Sequence, residues 1–334
     1  MKKGMVLFLA LWAGCATPPD NPTAPRELLT DPTFSKWLEI RGLGQSDDDR
    51  GVKGVFRTAG KVGSPAWSIA QWASKHSLAD ASVTQQNQLD RQRFEIVNPS
   101  KRVTVDCGRG EIALGLSASA CYEHPRQLNE PWPHLLIETS LTNTRYPSHI
   151  CRVADLARLD LAMSCRLDAF ADKHADADPH LHAAQFQLFL IVQNLNVESP
   201  GYGDLLWFGV PVFDNRYPVR EESYQRDGGK PDASGKFIYT LPTKACLARD
   251  PAFVKNGQLL ANKRARWVDV RIDAAPWIVY AYQLARKNGY LATTEIKDLY
   301  VSSLNLGWEM PGAYDATMRV RGLSLVATPK PIQP

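Results

Sequence analysis

The chain has no apolar stretch of the roughly 20 residues that a membrane-crossing helix needs; the run from Met5 to Ala13 stops far short. It has no HExxH, no phosphate-cradling glycine loop and no serine-centred elbow, so three common catalytic chemistries have no motif to rest on. No CxxC or paired Cys/His spacing points to structural zinc. No repeat with a period of about 20 to 50 residues and no low-complexity linker interrupts 30–330, which excludes a solenoid and argues for one domain. Charge of one sign is scarce as well. The 39 Lys and Arg stand against 35 Asp and Glu, and setting aside Lys2 and Lys3 leaves 37 against 35. With neither a basic field nor an acidic tail, nucleic acid is not an expected partner, while an acidic polysaccharide is not repelled.

What the chain does have is strands. The stretch 185–216, QFQLFLIVQNLNVESPGYGDLLWFGVPVFDNR, reads as two long strands around a glycine-containing loop. In the first, Phe186, Leu188, Leu190 and Val192 share a core face, and Gln185, Gln187, Phe189, Ile191 and Gln193 share a mixed one, because side chains alternate with period two. A face that mixes amides with large apolar groups suits a concave surface meeting something polar yet planar. In the second, both faces are apolar, so the strand belongs inside a sheet. Further strands are expected at 52–57, 67–72, 94–97, 102–105, 111–116, 131–141, 158–167, 268–272, 298–310 and 318–327. Residues 82–93, Gln-rich and polar, read as a surface excursion or a short helix. One convincing helix spans 276–287, with Asp273 before it and Gly289 as its stop. Many strands, one or two peripheral helices and no βαβ rhythm predict a mainly β fold, an antiparallel two-sheet sandwich of jelly-roll type.

The N-terminus carries Lys2 and Lys3, a short apolar run and then Ala13, Gly14 and Cys15. This resembles the lipobox of bacterial lipoproteins, apart from Trp12 where an aliphatic residue is usual; simple secretion is the alternative. The resemblance implies lipidation at Cys15, an exported envelope lipoprotein held to the membrane through its lipid alone, and the outer membrane if the cell is Gram-negative. The expected partition is a signal peptide at 1–14, a lipidated proline-rich tether at 15–30 and a single β-sandwich domain at 31–330. Export permits disulfides. The equal spacing of Cys107 with Cys121 and of Cys151 with Cys165 suggests two local bridges, with Cys246 unpaired; buried reduced cysteines are the alternative.

The closing strands, LYVSSLNLGWEMPG and YDATMRVRGLSLVA, resemble the ends of jelly-roll domains in secreted carbohydrate-binding and carbohydrate-active proteins. The resemblance is one of fold and cadence across the domain and carries no catalytic motif; it implies a polysaccharide or glycan as partner and no required cofactor. Sugar sites need flat apolar surfaces for ring C–H faces and planar hydrogen-bonding groups for hydroxyls. The candidate ligand surface is Trp132, Gln187, Trp207, Asp214, Arg216 and Trp308. If the domain is instead a polysaccharide lyase or glycoside hydrolase working on the same face, Glu138, Glu309 and His134 are the catalytic candidates. A third reading is a non-catalytic envelope scaffold. Asp176, Asp178, His180 and His182 form an oxygen- and imidazole-rich cluster that is a candidate for calcium or a softer metal, although it lacks the glycine and terminal glutamate of an EF-hand. Oligomeric state is not legible.

Overall fold

Period-two alternation gives each long strand one apolar side, and burying those sides together requires a second layer. The computed structural model describes residues 24–44, 46–58, 64–88, 91–142, 148–230, 233–248 and 252–331. Cys15, the signal-like segment and most of the tether lie outside the described residues.

The larger sheet has nine strands, in the order Ser223–Arg226, Phe237–Thr240, Leu205–Asp214, Gln185–Asn194, Leu299–Glu309, His134–Ser140, Trp67–Ala70, Leu38–Arg41, Val52–Phe56. The other runs Val268–Asp273, Leu156–Asp172, Tyr314–Pro329, Glu111–Ser117, Lys101–Asp106, Arg91–Val97, Val83–Gln88, with the two-residue strand Arg26–Glu27 also paired to Tyr314–Pro329. The chain changes sheets repeatedly: Glu111–Ser117, His134–Ser140, Leu156–Asp172 and Gln185–Asn194 alternate between the two, and Leu299–Glu309 crosses to Tyr314–Pro329. The mainly β, two-sheet jelly-roll sandwich expected from the pattern is the fold observed. Two described pairings are parallel, Leu38–Arg41 with Trp67–Ala70 and Leu205–Asp214 with Phe237–Thr240; both involve short strands on the outer half of the nine-stranded sheet.

The core lies between the sheets. Phe186, Leu188, Leu190 and Val192 are fully buried, as are Leu159, Leu161, Met163, Cys165 and Leu167 of the opposite sheet, and all belong to one apolar cluster. The expected helix forms at Ala275–Lys287. Its start is pinned by Asp273, whose Oδ1 accepts from the backbone N–H of Ala275 and of Leu159. It buries Ile278, Ala281, Tyr282 and Ala285 and ends ahead of Gly289, which takes φ +82°, a conformation that favours glycine.

Three expectations change. Residues 82–93 are not a helix or loose excursion: Val83–Gln88 forms an edge strand paired to Arg91–Val97. An edge strand tolerates polar residues on both faces, so no alternation betrays it. The cysteines Cys107, Cys121, Cys151 and Cys165 form no disulfide. Cys165 points into the core, and the Cys151 thiol donates to the Leu141 carbonyl at 3.3 Å, so equal spacing does not bring the pairs together. The metal candidates Asp176, Asp178, His180 and His182 lie in a loop with a turn at 179–181. Asp178 accepts from the His180 N–H at 2.8 Å, while His182 is buried and stacks on His174 at 4.3 Å. Among the described residues no three His, Cys, Asp or Glu side chains group to hold a metal ion.

Candidate functional site

Six strands of the nine-stranded sheet turn their non-core faces outward and form the floor of a cleft of about 500 Å³. Register fixes what stands on that floor. Across the sheet, His134, Glu309, Gln185 and Asp214 occupy one row. The next row holds Leu136, Gly307, Gln187 and Pro211, and the one beyond it Glu138, Asn305, Phe189 and Gly209. Two glycines are required by close approach. A Cβ at Gly307 would lie 2.2 Å from the Leu135 carbonyl oxygen, and one at Gly209 would lie 2.9 Å from the Phe189 ring. The floor is therefore open between Leu136 and Gln187, with Glu309 and Asn305 on either side of the gap.

Glu309 is the best-held polar group in the cleft. Its carboxylate accepts from Trp132 Nε1 at 3.3 Å and Gln187 Nε2 at 3.4 Å, and His134 Nε2 lies 3.6 Å away. Burial alone would raise its pKa, but the hydrogen bond and charge of His134, the charge of Lys230 and the Trp132 donor outweigh it and bring it down to about 2. Glu309 is thus ionised at neutral pH, an acceptor rather than a proton donor. Glu138, half-buried, is driven the other way: burial raises it to about 7, against the opposing charges of Arg41 and Arg50.

Carboxyls with opposed pKa values are the pattern of an acid and its partner. Their spacing is not. Glu138 stands one strand over from Glu309 and four residues along, about 13 Å of strand rise, whereas glycoside hydrolysis needs carboxyls about 5 to 9.5 Å apart. On the floor beside Glu309 the neighbour is Gln187, an amide.

Of the candidate ligand residues, Trp132, Gln187, Trp207 and Arg216 line this cleft, as do His134 and Glu309. Trp207 meets Phe189 edge-on at 5.8 Å and donates through Nε1 to Ser234 at 3.1 Å. Trp132 has Arg126 and Lys230 over its ring, at 5.1 and 4.6 Å from the centroid. Asp214 is buried and saturated. It accepts from Arg216 Nε and Nη2 at 3.0 and 2.8 Å and from Gln185 at 2.8 Å, with Arg220 3.5 Å away, so its role is to pin two arginines in the wall. Trp308 is not on this surface at all. It is fully buried between the sheets, packed edge-on against Phe186 and Phe213 and donating to the Leu114 carbonyl at 2.9 Å. Adjacent strand residues face opposite sides, so Trp308 and Glu309 cannot share a cleft.

Several lining residues carried no periodic signal because loops deliver them. Arg126 and Leu128 precede the His134 strand, Tyr217 and Arg220 follow the Leu205–Asp214 strand, and Lys230 comes from the Asp227-Gly228-Gly229 turn. Arg50, in the short helix Asp47–Arg50, sits over Trp72 at 5.0 Å. Trp72, five residues from the core residue Trp67, faces the cleft.

No protein-family model and no curated protein matches the sequence. Among solved structures the chain is similar to the endoglucanase cel12A from Rhodothermus marinus, with 11% identity, TM-score 0.39, and 71% of this chain and 92% of that one covered. It is also similar to the family 11 xylanase from Neocallimastix patriciarum, with 10% identity, TM-score 0.35, and 74% and 95% covered. The native family 12 xyloglucanase from Bacillus licheniformis shows 11% identity, TM-score 0.35, and 73% and 90% covered. At these scores the likenesses carry neither substrate nor mechanism to this chain.

Proposed function

We propose that the cleft on the nine-stranded sheet is a glycan-binding site, presented at the cell envelope by a lipid on Cys15. The observation that supports it is a single open floor combining the Trp207 and Phe189 rings with the planar amides of Gln185, Gln187 and Asn305. Aromatic faces take sugar C–H surfaces while amides and an ionised carboxylate take hydroxyls, which is the division of labour that carbohydrate recognition needs. Glu309, kept charged by its neighbours, acts as a fixed acceptor.

A second reading, polysaccharide cleavage on the same floor, has one observation in its favour: the opposed pKa values of Glu138 and Glu309. Retention on a panel of neutral, acidic and sulfated polymers, followed by reducing-end and unsaturated-product assays on each retained polymer, separates the two. The binding reading expects retention without products. Products lost by at least about 100-fold in Glu138→Gln or Glu309→Gln, the lower range for general acid–base catalysis, would replace it with the enzymatic one. No retention and no product would contradict both.

A further inference from the structure

Buried polar atoms almost always find a partner, so those that do not point to what is missing. Arg50 Nε, Trp72 Nε1, Arg126 Nε and His134 Nδ1 are all buried without a partner, and all four residues line the one cleft. Guanidinium and indole nitrogens can only donate. Three of the four orphans therefore wait for an acceptor.

These residues are arranged in sequence along one wall. Arg50 lies over Trp72, Trp72 is 5.7 Å from His134, His134 stacks beside Trp132 at 6.1 Å, and Arg126 lies over Trp132. Two guanidiniums thus bracket three rings. Arg126 is only 5% exposed, and its position is fixed by donation to the carbonyls of Leu181 and Glu130 at 3.0 and 2.9 Å, neither of which cancels its charge. The acids nearby are engaged: Glu130 accepts from the Gln127 N–H, Asp227 from Ser234, and Glu309 from Trp132 and Gln187. Glu138 faces Arg50 and Arg41 with its pKa raised by burial. Among the cleft-lining residues are five Lys or Arg (Arg50, Arg126, Arg216, Arg220, Lys230) against the carboxylates Asp227 and Glu309, and Asp214 behind the wall pairs with Arg216 and Arg220, which leaves Arg50, Arg126 and Lys230 to set the field over the Trp72 and Trp132 wall. In a chain close to neutral overall, that concentration focuses positive potential on one groove.

We propose that the cleft selects an acidic polysaccharide, with an anionic oxygen group of one sugar at Arg126 Nε, a second at Arg50 Nε, and the intervening rings crossing Trp72 and Trp132. The inference rests on the glycan reading above and names its ligand class. A uronate carboxylate and a sulfate ester supply the same acceptor oxygens, and separate arms of the test tell them apart.

The test is calorimetric titration of the full chain with a polyuronate, a sulfated galactan, a neutral β-glucan and poly-glutamate, each at low and moderate salt. Binding of the polyuronate or the galactan that weakens with salt, with neither the neutral glucan nor poly-glutamate bound, is the expected result. Which of the two acidic glycans binds identifies the group. Arg126→Gln should lower that affinity by about tenfold or more, the loss of a hydrogen bond to a charged group. Because Arg126 is buried, Arg50→Gln provides the same comparison from a less enclosed position, and thermal melting verifies that each variant is folded. Neutral glucan binding as tightly as the acidic polymers overturns the acidic selection and leaves the glycan site standing. Poly-glutamate binding equally reduces the effect to charge alone and also overturns it. Unchanged acidic-glycan affinity in a folded Arg50→Gln or Arg126→Gln variant does the same, and no binding to any glycan overturns the glycan site itself.

Discussion

Trp308 and Glu309 are neighbours in one strand and lie on opposite sides of the same sheet, the indole sealed in the core and the carboxylate in the cleft. That pair separates stability from recognition. Trp308→Ala should destabilise the fold by about 3 to 5 kcal/mol, as large-to-small core changes do, while the folded fraction binds ligand normally. Urea unfolding alongside ligand titration checks this; a folded, undestabilised variant that fails to bind would place Trp308 in the site after all.

Glu309 and Glu138, on neighbouring strands, should give the fold opposite pH profiles. Glu309 is held at about 2, below the ordinary 4.5, so its contribution is present above the ordinary value and is lost as pH falls through 4.5 toward 2. Glu138 is raised to about 7, so its contribution is full below 4.5 and is lost as pH rises toward 7. Relative to the wild type, Glu138→Gln should therefore gain stability between pH 4.5 and 7, reaching about 1 to 3 kcal/mol above neutrality. Glu309→Gln should be destabilised most above pH 5 and converge with the wild type in acid. Denaturant melts of both variants across pH 3 to 8 test this, and parallel profiles would contradict the assigned environments.

All five described cysteines should react with an alkylating reagent in denaturant without reductant. In the native state Cys151 and Cys165 should react slowly, because burial holds both thiols protonated, Cys151 up to about 11. Recovery of a peptide linking Cys107 to Cys121, or Cys151 to Cys165, by non-reducing mapping would contradict the free thiols.

How much of this was legible follows from periodicity. The Gln185 strand announced its two faces directly, and the strand expected at 158–167 buries Leu159, Leu161, Met163, Cys165 and Leu167 on one face. Glu309 and Trp132 were legible as cleft candidates because each stands beside polar or aromatic residues in an extended segment. Trp308 was grouped with Glu309 by composition although the pleat forbids it. Arg126, Arg50 and Lys230 left no signal, since loops and a one-turn helix obey no period and their convergence is a property of tertiary packing. The Asp and His residues at 176–182 look like ligands because sequence proximity does not reveal that His182 turns inward to stack on His174 while His180 stays on an exposed turn.

The most direct test of the glycan site is a titration of the best-retained polymer against the wild type and Trp207→Ala. Trp207 lies on the cleft floor and outside the sealed core, so its truncation leaves the fold in place and removes ring surface facing the ligand. The expected result is a folded variant whose binding is weaker by about 1 to 3 kcal/mol, the worth of lost apolar burial and stacking. Equal affinity in the two proteins, with melting temperatures unchanged, would show that the glycan binds elsewhere and would contradict the assignment of this cleft.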